Sequence, residues 1–312
     1  MENATDVTQF ILLGLTKSTN LQVLLVMIFT LIYVITVIGN LGMILLILLD
    51  SRLHTPMYFF LSNLSLMDFC YSTAVTPTVI AGLFIGDEVV SYNACAAQMF
   101  LFTAFAAGEI FILAAMAYDR YAAVCKPLHY TTIMTTGVCA GLVIVCYTGG
   151  FMNASIQVGE VFRGTFCRSN VVHHFFCDVP AVMSLSCSEN HFGETVLLYV
   201  DTFIVFSALS VIFVSYIFIF ITILKMRSSA GYQKALSTCA SHITAISIFF
   251  GTIMFMYLQP SSSHSMDTDK MASVFYTMVI PMLNPIVYSL RNKEVKNAIK
   301  KLGEKTKLSL GL

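Results

Sequence analysis

Seven long apolar runs dominate the chain: Leu21–Leu49, Pro56–Ile80, Ala94–Val124, Val138–Val158, Thr195–Leu224, Ser237–Leu258 and Met271–Leu290. A bilayer core of about 30 Å takes roughly 20 apolar residues of helix to cross, and each run reaches or approaches that length. In hydrocarbon the backbone is satisfied only within helices or closed barrels, and the ten-residue alternating segments of a barrel are absent from the sequence. The runs predict an all-α membrane protein, a seven-transmembrane helix bundle followed by a short amphipathic cytoplasmic helix. Composition agrees, with 57% hydrophobic and 11% charged residues, against roughly 25% charged in a soluble chain. Too few polar side chains remain to cover a water-exposed surface, which excludes an ordinary soluble enzyme. Lys+Arg and Asp+Glu balance at 17 each, so no basic surplus exists for nucleic acid.

An odd number of crossings puts the termini on opposite sides, and Lys and Arg choose between them. With the N-terminus outside, only Lys17, Arg163, Arg168 and Lys270 fall on the outer side. The remaining basic residues, from Arg52 to the cluster Lys293–Lys307, fall inside. Met1–Phe10 lacks a basic start and an apolar stretch, so the first span serves as the targeting signal. Asn3-Ala4-Thr5 is a glycosylation sequon on the outer side. The sequons at Asn63 and Asn153 lie in or near spans, out of reach of the transferase. After the last span, Val295, Ile299 and Leu302 fall on one helical face among lysines, a pattern suited to membrane lipid at the anionic inner leaflet. We expect one domain over 1–312, with an extracellular N-terminus at 1–20, spans and loops at 21–290 and a tail at 291–312.

Of nine cysteines, Cys95, Cys167, Cys177 and Cys187 lie on the oxidising side. Four cysteines allow three pairings, and the sequence alone does not choose. His173-His174-Phe175-Phe176-Cys177-Asp178 contains metal-ligand types, but a disulfide-bonded Cys177 offers no thiolate, and we read the segment as structural loop with no metal.

Carboxylates within spans are costly unless paired or hydrated, and mark candidate functional sites. There are four: Asp68, Glu109, Asp119 and Asp201. Asp68 and Glu109 sit at mid-span depth with Asn40 and Asn284. Together they suit either a hydrated cluster holding a cation such as Na⁺ or a protonated, hydrogen-bonded carboxyl. Otherwise no cofactor is expected. Asp119 and Arg120 end the third span, as a polar lock or as interfacial snorkelling. Asp201, near the outer end of the fifth span, faces either a ligand cavity or water. Pro281 and Pro285 interrupt the seventh span beside Asn284 and predict a kink or hinge. A transporter or channel is the competing class. Transporters show paired broken helices in two similar halves, whereas only the last span is strongly interrupted. Gly-x-Ser-x-Gly and His-Glu-x-x-His are absent, which argues against an intramembrane hydrolase.

Six segments in order resemble the olfactory (odorant) receptors of the rhodopsin-like G-protein-coupled receptor family. They are Gly39-Asn40; Leu53-His54-Thr55-Pro56-Met57-Tyr58 running to Ser65, with Asp68; Met116-Ala117-Tyr118-Asp119-Arg120-Tyr121; Ser215-Tyr216; Lys234-Ala235-Leu236-Ser237-Thr238-Cys239-Ala240-Ser241-His242; and Pro281-Met282-Leu283-Asn284-Pro285-Ile286-Val287-Tyr288. The chain departs from the family at Phe250, where Tyr is usual, and at Leu236, Ala122 and Ala123. The short third outer loop resembles class II. The resemblance implies disulfides Cys95–Cys177 and Cys167–Cys187. It implies a coupling and switch set of Asp119, Arg120, Tyr121, Tyr216, Pro285 and Tyr288. The implied partners are a small volatile odorant and a heterotrimeric stimulatory, olfactory-type G protein acting through cyclic AMP, with room for trafficking chaperones. The implied location is the plasma membrane of olfactory sensory neuron cilia. Helix phase and family analogy together give a pocket between the outer halves of spans three, five, six and seven. Its expected lining is Met99, Phe102, Thr103, Ala106, Ala107, Val200, Ile204, Ile253, Met254, Tyr257 and Thr277, with Thr103 and Tyr257 as polar anchors.

Overall fold

The structure is a computed structural model of the full chain and describes residues 7–16, 18–166, 169–187, 191–226, 229–257 and 266–309. Its long helices are α1 (Thr19–Leu49), α2 (Pro56–Ile85), α3 (Tyr92–Cys125), α5 (Thr136–Arg163), α7 (His191–Lys225) and α8 (Ser229–Tyr257). The last crossing is composite: α9 (Met266–Val274), a π-helical turn at Phe275–Val279 and α10 (Ile280–Arg291). Five of the long helices and the composite crossing are long and apolar enough to span a bilayer, and α8 adds the described apolar stretch Cys239–Thr252. These are the seven crossings of the bundle. Short helices α4 (Tyr130–Ile133) and α6 (Val179–Met183) lie in loops, and α11 (Lys293–Ser309) follows the last crossing.

Local chemistry sets several ends. The Ser91 hydroxyl accepts from the Ala94 amide at 3.2 Å at the start of α3, and Thr135 does the same for Val138 at 3.3 Å at the start of α5. Gly86, at φ 97°, ends α2 in a conformation that costs a side chain dearly. Pro281 and Pro285 deprive the last crossing of two backbone donors, and the π turn lies immediately before them.

Helix α3 is the hub. Within the apolar windows, 67% of α3 is buried against protein but only 17% of α1. The exposed apolar side chains of α1, α5 and α7, such as Leu31, Ile144 and Phe213, form the lipid-facing surface. Helices α3 and α5 approach closely at Gly150, where a Cβ would run into the Ala104 carbonyl oxygen.

The outer end, which carries Cys95, has a layer that the apolar runs did not foreshadow. Strand β1 (Gln9–Leu12) lies between β2 (Glu88–Ser91), antiparallel, and β3 (Val171–Val172), parallel. Phe10 is fully buried there against Tyr92, Phe162 and Phe166.

Candidate functional site

Three groups of expected site residues come together at three depths. Midway through the bundle, one amide bridges two carboxyls. Asn284 Nδ2 donates to Asp68 Oδ2 and to Glu109 Oε1, both at 3.0 Å. Both carboxyls are buried, at 0% and 1% exposure. Tyr71, fully buried, faces them both. Asn40 stands on the neighbouring helix, and its role follows from Pro285. A proline at that position leaves the carbonyl four residues earlier, that of Pro281, without its helical donor. Asn40 Nδ2 supplies the missing donor at 2.9 Å and also donates to the Thr36 carbonyl at 3.0 Å. Gly39 permits the approach, since its Cβ position lies 3.0 Å from Pro285 Cγ. Three buried acceptor atoms, Asn40 Oδ1, Asp68 Oδ1 and Glu109 Oε2, make no hydrogen bond.

At the inner end, Asp119 is fully buried. Arg120 folds back on it, Nη2 to Oδ2 at 2.8 Å, and Tyr130 of α4 donates to its other oxygen at 2.7 Å. Neighbouring side chains on a helix do not face each other, so this pair forms only because the long guanidinium turns. Snorkelling into water is therefore not what Asp119 does. Arg120 Nε makes no hydrogen bond. Burial first, and Asp119 next, raise the Tyr130 phenol well above its ordinary range. Tyr216 and His242 meet at 2.8 Å through the phenol oxygen and Nδ1. His242 and Tyr288 are buried, and His242 Nε2 and the Tyr288 hydroxyl are without hydrogen bonds. Tyr121 packs on Phe218 of α7.

At the outer end, Met99, Phe102, Thr103, Ala107, Ile204 and Thr277 are buried, and Ala106 and Val200 half-buried. They fall in more than one packing cluster. Met99 packs with Cys95, Cys177 and Leu197, whereas Phe102 packs with Tyr71, Phe176 and Tyr276. The Thr277 hydroxyl donates to the Ser273 carbonyl at 2.6 Å, so its hydrogen is directed to its own helix. The side chains of Ile253, Met254 and Tyr257 lie outside the described residues, as do Asn3 and Cys167. Cys95 and Cys177 form a disulfide, which removes the thiolate from the His-His-Phe-Phe-Cys-Asp segment. Cys187 is also disulfide-bonded.

The structure adds residues that sequence reading passed over. Gln98 ties three elements together, donating to the Ala74 carbonyl and Thr78 hydroxyl at 3.0 Å and accepting from the Cys177 amide at 2.9 Å. Asp201, half-buried, accepts from Gln157 of α5 at 2.6 Å. His242 sits inside a quoted motif, and a lone histidine in an apolar span was the available signal.

An olfactory receptor family model matches residues 29–305. Human olfactory receptor 5B3 is 70% identical over 311 residues, covering 100% of this chain and 99% of its own length. Human olfactory receptor 5B2 is 67% identical, covering 97% and 98%. Mouse olfactory receptor 5B21 is 61% identical, covering 97% and 95%. Among solved structures, squid rhodopsin superposes with a TM-score of 0.73 at 17% identity, over 93% of this chain and 87% of that one, which establishes the rhodopsin-like fold. A seven-crossing bundle with a buried Asp-Arg pair at one end and a disulfide at the other, matched end to end by these relatives, belongs to the olfactory receptor family.

Proposed function

We propose that the chain is an odorant-gated receptor of the plasma membrane, N-terminus outward, that activates a heterotrimeric stimulatory G protein of the olfactory type and raises cyclic AMP. The ligand is a small, neutral, mostly apolar volatile held between the outer halves of α3, α7, α8 and the last crossing. Apolar burial at ~25 cal/mol per Å² suffices for micromolar affinity, about −8 kcal/mol. The observation that carries the reading is the inner-end cluster. Arg120 is held by Asp119, with His242 and Tyr288 buried and Tyr216 half-buried on neighbouring elements. An agonist that favours a more open inner end shifts this equilibrium only by its differential affinity for the two states. Release of Arg120 from Asp119 then presents a cation to the G protein.

The test is cyclic AMP production in cells co-expressing the olfactory-type G protein, over a panel of neutral odorants, with Arg120→Ala at matched surface level. Loss of the response in the variant supports the assignment, and a full response from Arg120→Ala overturns it. The mid-depth cluster fits a sodium ion as cofactor. Its three unbonded oxygens on Asn40, Asp68 and Glu109 are hard ligands, and one cation offsets two carboxyls that repel each other at this depth. Replacing sodium with a large organic cation is expected to shift the agonist dose–response of wild type and leave Glu109→Gln unmoved.

A further inference from the structure

The outer end of α2 carries an apolar pair that the described residues leave uncovered. Phe84 is 73% exposed and Ile85 78%, on a helix with few other exposed positions. Large apolar side chains grouped in the open mark contact surfaces. Phe84 also continues a line. Phe59, Leu66, Pro77 and Phe84 are all exposed, at spacings of 7, 11 and 7 residues. Such spacings return each to within about 20° of the same side of an α-helix. Phe59 and Leu66 belong to the lipid-facing side of the second crossing, so the line leads from that surface up to Phe84.

Length sets the depth at which the pair stands. Helix α2 has 30 residues, about 45 Å at 1.5 Å per residue, against about 30 Å for the hydrocarbon and 40–45 Å with both headgroup layers. Its inner end is fixed: the Tyr58 hydroxyl donates to Asn292 Oδ1 at 3.1 Å, beside the lysine-bearing α11, and Arg52 stands just before the helix. Counted from there, the last turn of α2 reaches the outer headgroup layer. The residues that follow mark the same boundary. Gly86, at φ 97°, turns the chain, and Asp87 and Glu88 come directly after it. Strand β2 then limits the depth. It is an edge of the outer sheet, paired with β1 on one side only. One row of its backbone N–H and C=O groups has to meet water or headgroups, not hydrocarbon.

We propose that Phe84 and Ile85 are an interfacial anchor: they enter the outer leaflet, on the disulfide side of the bundle, at the boundary between acyl chains and headgroups, and seat the outer sheet on the membrane through β2.

Lipid fits the pair better than a second copy of the chain or another protein. A stable protein interface buries about 800 Å² on each partner, far more than two side chains offer. An interfacial foothold needs only a few apolar side chains when the crossings already hold the chain in the bilayer. The exposed Asp87 beside it disfavours anionic headgroups, so the lipid is neutral or zwitterionic. The sheet carries the foothold to the outer loop. Strand β2 pairs with β1 from Gln9↔Ser91 to Leu12↔Glu88, and β1 pairs with β3, a few residues before Phe175, Phe176 and Cys177. The loop over the outer end thus takes its height from the leaflet.

The chain contains no tryptophan, so a single introduced one is the only indole in the protein. Phe84→Trp and Ile85→Trp are made in the full chain and purified into phosphatidylcholine bicelles, which bring no tryptophan and open both faces to solvent. Emission is quenched with lipid brominated near the headgroup, with lipid brominated near the chain end, and with aqueous iodide. Ile38→Trp, exposed near mid-span on α1, gives the deep reference, and Val89→Trp, on the outward face of the sheet, gives the water reference. Both probes are expected to lose roughly twofold more emission to shallow than to deep bromines, the reverse of Ile38→Trp, and roughly twofold less to iodide than Val89→Trp. Iodide quenching equal to that of Val89→Trp puts the pair in water and overturns the proposal. Quenching by none of the three shows the pair covered by protein, a second copy or another partner, and overturns it too. A pattern matching Ile38→Trp overturns the interfacial depth. A second measurement removes the foothold. Phe84→Ser combined with Ile85→Ser is expected to speed hydrogen exchange roughly threefold or more at two sheet amides. These are Tyr92, bonded to the Thr8 carbonyl at 2.9 Å, and Leu13, bonded to the Val172 carbonyl at 3.0 Å. Unchanged exchange at both overturns the seating of the sheet.

Discussion

The strictest constraints sit at single residues where two backbones or two charges nearly touch. Gly150 is one: adding a methyl there drives Cβ into the Ala104 carbonyl and to 3.0 Å from the Gly108 amide nitrogen. Backbone on both sides cannot yield cheaply, so Gly150→Ala is expected to cost about 3 kcal/mol, read as a lowered midpoint in thermal unfolding of the purified receptor. Gly141 on the same helix meets nothing within 4 Å. Gly141→Ala should be neutral or stabilise by up to about 1 kcal/mol; a loss as large as at Gly150 would show that clash is not the cause. Asn284 is the second case. Asn284→Ala strips both Asp68 and Glu109 of a buried donor and should cost about 1–3 kcal/mol in the same measurement. Asn40, Asp68, Glu109 and Asn284 were legible as a group from depth alone, because polar residues in apolar runs are conspicuous. Tyr71 was not, since a tyrosine in a span ordinarily reads as packing. The Asn40–Pro281 bond needed the fold, although the proline that creates the need was in plain view.

At the scale of elements, apolar runs located all seven crossings, but their ends moved. Helix α2 runs on to Ile85 and α3 begins at Tyr92, because Gly86 and Ser91 set those ends and the apolar pattern does not. The break in the last crossing was expected at the prolines, and the structure adds the π turn just ahead of them. The tail helix was expected to end near Leu302 and continues to Ser309. Its start is held by Asn292, whose Oδ1 accepts from the Glu294 amide at 3.0 Å and from the Tyr58 hydroxyl at 3.1 Å. Asn292→Ala should therefore cost about 1 kcal/mol. Hydrogen exchange is expected to speed up across α11 while α10 stays as protected as before; equal loosening of α10 would contradict a local cap.

Across the whole molecule, the order of crossings followed from hydropathy, while the outer layer did not. Strands of two to four residues carry no usable alternation, and β1 is bounded by no turn signal. Outer cysteines were legible as oxidised, but their pairing rested on family likeness until Cys95 and Cys177 were seen joined. That bond closes a separation of 82 residues, for which chain entropy gives about 4 kcal/mol. Cys95→Ser is expected to lower the unfolding midpoint more than any single substitution above and to reduce the amount of receptor at the cell surface; unchanged midpoint and surface level would assign the bond no structural weight. The central strand of the outer sheet raises a matter of timing. Strand β1 leaves the ribosome before its two neighbours, which arrive some 80 and 160 residues later. Both must be on the outer side before it can pair. Strand β1 is thus seated well after it is made, and until then Phe10 stands exposed, a mark by which quality control can tell a half-assembled chain from a finished one.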